Sequence, residues 1–143
     1  MSAHENKALA RRGIEEVFGR GNLAVADEVY ANDFVGHSPP DEIKGHEAIK
    51  QFASMWRSAF PDLQFTIEDQ IAEGDKVVTR WTARGTHEGE LQGIAPTGKQ
   101  VTMSGITVSR IAGGRIVEGW TNRDALGMLV QLGVVPPPGQ AGG

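Results

Sequence analysis

The sequence predicts an α+β fold, a curved and mainly antiparallel sheet wrapped around helices contributed by the N-terminal part of the chain. Three observations carry that reading. Apolar residues recur at helical spacing as far as Ala59, segments from Leu63 to Asn122 alternate like strands, and glycines punctuate both turns and strand interiors. Strands that follow helices and are joined by short turns form a meander with its helices on one face. Gly85, Gly105 and Gly119, inside strands, supply the bends by which such a sheet curls into a cone.

The first helix spans Glu5 to Arg20. Leu9, Gly13 and Val17 fall in one column and Ala10, Ile14 and Phe18 in the next, with charges opposite. Gly19-Arg-Gly21 ends it, Asn22 is placed to cap a second helix over Leu23 to Tyr30, and Asn32-Asp33 breaks that pattern. Phe34-Val-Gly-His37 reads as a short extended piece halted by Ser38-Pro-Pro40. A third helix, Gly45 to Ala59, turns Ile49, Phe52, Met55, Trp56 and Ala59 to one side and closes at Phe60-Pro-Asp62.

The strands are Leu63 to Ile67, Lys76 to Gly85, Val101 to Ile111 and Arg115 to Asn122, with a long loop from Glu88 to Lys99. Ala112-Gly113-Gly114 joins the last two through a tight turn that needs positive φ. A short apolar helix, Ala125 to Leu132, is ended by Gly133 and Pro136 and is placed to cover the cone or to meet a partner chain. Residues 1–135 therefore read as one domain, and 136–143, rich in Pro and Gly, as a flexible tail.

A domain of 143 residues buries roughly two-thirds of its unfolded surface, enough for a core with a pocket. Cysteine is absent, which excludes disulfides, thiolate metal sites and a Cys nucleophile. The polar start and the lack of any long apolar run lead us to expect a cytoplasmic protein without membrane contact. With 14 basic and 18 acidic residues interspersed, net −4, no charged block is available to gather nucleic acid. The histidines lack metal-binding spacing, no Gly-x-Ser-x-Gly elbow exists, and Gly85-Thr-His-Glu-Gly89 lacks the lysine of a phosphate loop.

The candidate chemistry lies on the last strands. Period two puts Glu118, Trp120, Asn122 and Asp124 on one face and Val117, Gly119, Thr121 and Arg123 on the other. We expect the Trp120 face to be concave, which sets Asp124 at the rim of an apolar cavity. A carboxylate that loses hydration there becomes a usable base; the same Asp124 equally suits the N-cap of the final helix. Arg80 shares a face with Val78 and Thr82 and is a candidate to enter the cavity and pair with Glu118 or Asp124, or to lie exposed on a buried stem. His37 and His87 are the histidines placed to see the pocket, as proton carriers or as hydrogen-bonded structural residues. Trp120, Trp56 and Phe52 are its expected walls.

The ordered strings Phe34-Val-Gly-His37, Gly45-His-Glu-Ala-Ile49, Phe60-Pro-Asp62, Val78-Thr-Arg-Trp-Thr-Ala-Arg-Gly-Thr-His87, Gly93-Ile-Ala-Pro-Thr-Gly98, Arg110-Ile and Gly114-Arg-Ile-Val-Glu-Gly-Trp120 resemble the SnoaL-like polyketide (ester) cyclases of the nuclear-transport-factor-2-like superfamily. The resemblance covers about residues 6–135. It implies a cone-shaped α+β barrel, a homodimer or larger, no cofactor or metal, and a small hydrophobic substrate closed into a ring by intramolecular aldol addition. It also implies a general-base aspartate at the end of the last strand, where Asp124 stands. Where the aromatic polyketide cyclases carry Gln and His on the inward face of the penultimate strand, this chain has Gly105 and Thr107, with His37, Arg80 and Trp120 as candidate substitutes. The same fold hosts isomerases, epoxide hydrolases and plain binding proteins; the hydrolase pattern Asp-Arg-Asp is broken here by Thr82, and a dimeric small-molecule binder is the non-enzymatic alternative.

Overall fold

The computed structural model describes residues 2–137 and 139. Helix α1 (Ala3–Arg12) starts two residues before the expected Glu5, because Ser2 and Glu5 form a reciprocal capping box. It continues as a π-helical stretch, Gly13–Gly19, whose last carbonyls, Phe18 and Gly19, accept from Arg57 Nη1 at 3.2 and 2.7 Å. The second helix is a short turn, Leu23–Val25, running into α2 (Ala26–Val29); no side-chain cap bond forms from Asn22, contrary to expectation. Tyr30 leaves the helix and opens strand β1 (Tyr30–Ser38), which is longer than the piece read from Phe34. Strand β2 (Asp41–Lys44), absent from the sequence reading, pairs back on β1.

Helix α3 (Gly45–Ala59) has the predicted bounds and buries Ile49, Ala53, Trp56 and Ala59. Strands β3 (Gln64–Glu73), β4 (Lys76–Thr86), β5 (Gln100–Ala112) and β6 (Arg115–Arg123) follow, then helix α4 (Ala125–Gln131). The sheet order is β2-β1-β6-β5-β4-β3, antiparallel throughout except for the parallel β1–β6 pair. The Gly113-Gly114 turn has φ of 60° and 77°, as a two-residue hairpin demands.

One face of this sheet takes the helices. Val77, Thr79, Trp81 and Ala83 of β4 and Val101 and Met103 of β5 are buried on it. The core has two lobes. The first joins α1, α2, α3 and β1 through Ala10, Val29, Tyr30, Phe34 and Ile49; the second joins the far end of α3 to β4, β5 and α4 through Trp56, Phe60, Trp81, Met103 and Met128. The long loop after β4 is held from beneath by fully buried His87, whose Nδ1 accepts the Thr97 N–H at 3.1 Å. Among the described residues no helix is long and apolar enough to cross a membrane. Of the expected tail, residue 138 and residues 140–143 lie outside the described residues.

Candidate active site

Between the helices and the sheet lies a cavity of about 100 Å³, on the order of the ~150 Å³ that accommodates a benzene ring in an engineered core. Ile14 and Phe18 reach it from the first helix, Phe52 and Trp56 from α3, and Phe65, Trp81 and Met103 from the sheet. Apart from the indole N–H groups of Trp56 and Trp81, the polar lining residues come from three adjacent strands: Tyr30, His37 and Ser38 of β1, Thr107 and Ser109 of β5, and Thr121 and Arg123 of β6. No Asp or Glu is among the lining residues.

The cavity side of β6 is thus Gly119, Thr121 and Arg123, the reverse of the expected orientation. Trp120, Asn122 and Glu118 lie on the outer face, and Trp120 is partly exposed with its ring stacked on His37 at 5.6 Å. The cause is a bulge. Beside the hairpin turn Ile111 faces Ile116, but Arg110 faces Glu118, so Val117 is an extra residue in β6. Without it the hairpin register would set Thr107 opposite Trp120, with both facing inward as expected; with it Thr107 faces Thr121.

Arg80 is a second correction. It is on the outer face, exposed and paired with Asp69 at 3.2 Å, because Val77, Thr79, Trp81 and Ala83 take the buried side of β4. Asp124 is exposed and outside the lining; its Oδ1 accepts the Gly127 N–H at 2.9 Å as N-cap of α4. His87 is buried under its loop and is not part of the cavity wall. Trp56, Phe52 and Thr107 stand where expected, on the wall.

His37 is a third correction: it stands between the inward-facing Gly36 and Ser38 of β1 and turns its ring to the outer face against Trp120, where its Nε2 is 2.8 Å from Glu118 Oε2. Glu118 also takes Arg110 Nη2 at 3.1 Å. The His37 hydrogen bond, then Arg110, hold the Glu118 carboxyl below its ordinary value. An ionised Glu118 only accepts, so Nε2 carries the proton and Nδ1 of a neutral ring keeps its lone pair. Burial pushes the Tyr30 phenol up, so it stays protonated and is no base.

Sequence reasoning passed over Thr121, Arg123 and Trp81. Trp81 Nε1 donates to Thr107 Oγ1 at 3.0 Å, and Thr107 and Thr121 share a hydrogen bond of 2.9 Å. Two hydroxyls own two protons and use one between them, leaving one to donate into the cavity. Arg123 holds its guanidinium over the rings of Phe52 and Trp56, 5.3 and 5.2 Å from their centroids. The signal was in the sequence: Gly119-x-Thr121 is small enough to face a crowded interior, whereas Trp120 is not.

A helix-lined cone with an apolar cavity and one polar wall defines a small-molecule pocket protein of the nuclear-transport-factor-2-like fold. The family profile for SnoaL-like polyketide cyclase matches residues 8–132, and the chain belongs to that family. Among solved structures it is similar to IdmH of Streptomyces antibioticus, a proposed polyketide cyclase (36% identity, 90% of this chain and 99% of that one, TM-score 0.78). A proposed polyketide cyclase of Acidithiobacillus ferrooxidans is 33% identical over 92% of this chain and 97% of that one, TM-score 0.79. AclR of Streptomyces galilaeus, a proposed hydroxylase, is 31% identical over 94% and 85%, TM-score 0.83. No curated protein matches the chain.

Proposed function

We propose that the chain closes a ring in a small, largely apolar carbonyl compound by intramolecular aldol addition, without a cofactor. The observation that carries this is the apolar cavity with hydroxyl donors on a single wall. An apolar surround folds a flexible substrate so that its reacting carbons meet, which supplies the proximity such a closure needs. No carboxylate lines the cavity and the His37 ring faces away from it, so the acidic proton of the carbon between two carbonyls passes to a water molecule. The Thr107–Thr121 pair donates its spare proton to the carbonyl oxygen where enolate charge develops. The carbanion attacks a third, distant carbonyl, and the new carbon–carbon bond turns that carbonyl into an alkoxide, which takes a proton back from water, so the reaction is an isomerisation.

This assignment differs from the sequence expectation in its base, and the two are separable. Incubating a short β-keto ester in D2O with the protein and following loss of the α-proton signal reads proton abstraction directly. Thr121→Val, which removes the donor to the enolate oxygen, is expected to lower the enzyme-dependent exchange by about 10- to 100-fold, while Asp124→Asn leaves it unchanged. Loss with Asp124→Asn and none with Thr121→Val would return the base to Asp124. A homodimer through the outer sheet face is part of the proposal. It is supported by the row Ile71, Val78, Val108 and Trp120, cross-strand neighbours that leave Ile71 and Trp120 exposed.

A further inference from the structure

Three polar groups on the cavity wall have no protein partner among the described residues. Trp56 Nε1–H and Ser38 Oγ are buried with no hydrogen bond, and Arg123 makes neither an ion pair nor a hydrogen bond. Its two aromatic neighbours satisfy the guanidinium face and leave its N–H donors, which lie in the ring plane, unmet. A buried unpaired donor costs free energy that an acceptor on a ligand recovers. The charge balance is one-sided as well. No carboxylate lines the cavity, and Asp41, the one acidic group whose field acts on Arg123, forms no ion pair with it. Burial pushes the Arg123 guanidinium below its ordinary value, yet arginine stays charged in proteins.

We infer that the ligand of this cavity is an apolar acid, whose carboxylate is held by Arg123 with Trp56 Nε1–H as a neighbouring donor. This rests on the small-molecule reading of the pocket and adds the charge of its substrate. The Gly105–Arg123 pairing explains the placement. With no side chain at Gly105, the Trp81 ring lies over that position, and Arg123, beside it on β6, is directed across the cavity towards Phe52 and Trp56. A carboxylate there accepts two parallel N–H bonds, the arrangement arginine favours, while the remainder of the ligand fills the apolar end near Ile14 and Phe65.

The test compares benzoate with benzamide, of nearly equal size and differing in charge, by titration calorimetry on the intact chain. The acid is expected to bind about 10- to 100-fold more tightly than the amide, the range for a hydrogen bond to a charged group. Arg123→Met, close in volume, should abolish that preference while amide binding persists; Arg123→Lys should restore part of it. Equal binding of acid and amide to the unaltered protein overturns the inference and leaves the pocket reading standing. Failure of both probes to bind overturns both. An acid preference that survives Arg123→Met places the anion elsewhere and overturns the assignment of Arg123.

Discussion

Thr121 shows how little chemistry a residue needs to carry when its surroundings orient it. Trp81 Nε1–H occupies one acceptor site of Thr107, which leaves the Thr107–Thr121 pair with one hydroxyl proton to spare. Thr121→Val keeps the shape and removes that proton. Its kcat is expected to fall by about 10- to 100-fold, with KM little changed, if the donor acts on charge that develops only during reaction. Steady-state kinetics on a cyclising β-keto ester reads this split. Asp124 belongs to the same scale with the opposite role. Asn and Asp cap helices about equally well, so Asp124→Asn should leave the denaturation midpoint nearly unmoved, whereas Asp124→Ala should cost about 1 kcal/mol in chemical denaturation.

At the scale of elements, β6 is decided by one residue. Its hairpin with β5 begins in regular register at the Gly113-Gly114 turn, and Val117 then shifts every later pairing by one. Deleting Val117 removes the bulge and keeps the later pairs, from Arg110 with Glu118 to Thr107 with Thr121, so Thr121 and Arg123 stay on the cavity side. The expected result is a cooperative thermal transition in circular dichroism close to the original temperature; loss of that transition would show that the strand needs the extra residue itself. Helix α4 depends on β5 in turn. Gln131 Oε1 accepts the Thr102 N–H and its Nε2 donates to the Thr102 carbonyl, each at 2.8 Å, so the helix covers a strand end that the sheet leaves unpaired.

For the whole molecule the relevant variable is pH. Glu5, Asp62 and Glu118 all have carboxyls held below their ordinary values, by Ser2, by Thr86 and by His37 first and Arg110 second. A depressed folded-state value means the stabilisation is fully present above the ordinary value, 4.5 for Glu118, and is lost as pH falls through the folded one. Melting temperature should therefore hold at neutral pH and drop below about 4.5. Glu118→Gln should melt lower than the unaltered chain at pH 7, and the difference should shrink towards pH 3, as thermal scans across that range would read.

How much of this was legible in the sequence follows from the range of the interactions involved. Helix α3, strands β4, β5 and β6 and the Gly113-Gly114 turn are written in local periodicity and turn chemistry, so their residues declare them; β3, read only from Leu63 to Ile67, runs on to Glu73 by pairing with β4. The same holds for the sets into which each strand divides, and for the strings that mark the family. Phe52, Trp56 and Thr107 could be placed on a wall from those sets. Which set of β6 faces inward was not local: it rests on the pairing of Thr107 with Thr121 beyond the Val117 bulge, and period two is blind to the choice between faces. The parallel contact of β1 with β6, which brings His37 beside Glu118, spans 81 positions of chain. Sequence by itself determined the elements, the fold class and the family. Only the tertiary structure decided that Arg123 and Thr121, not Trp120 and Asp124, look into the cavity, because register across strands is set by packing between distant segments.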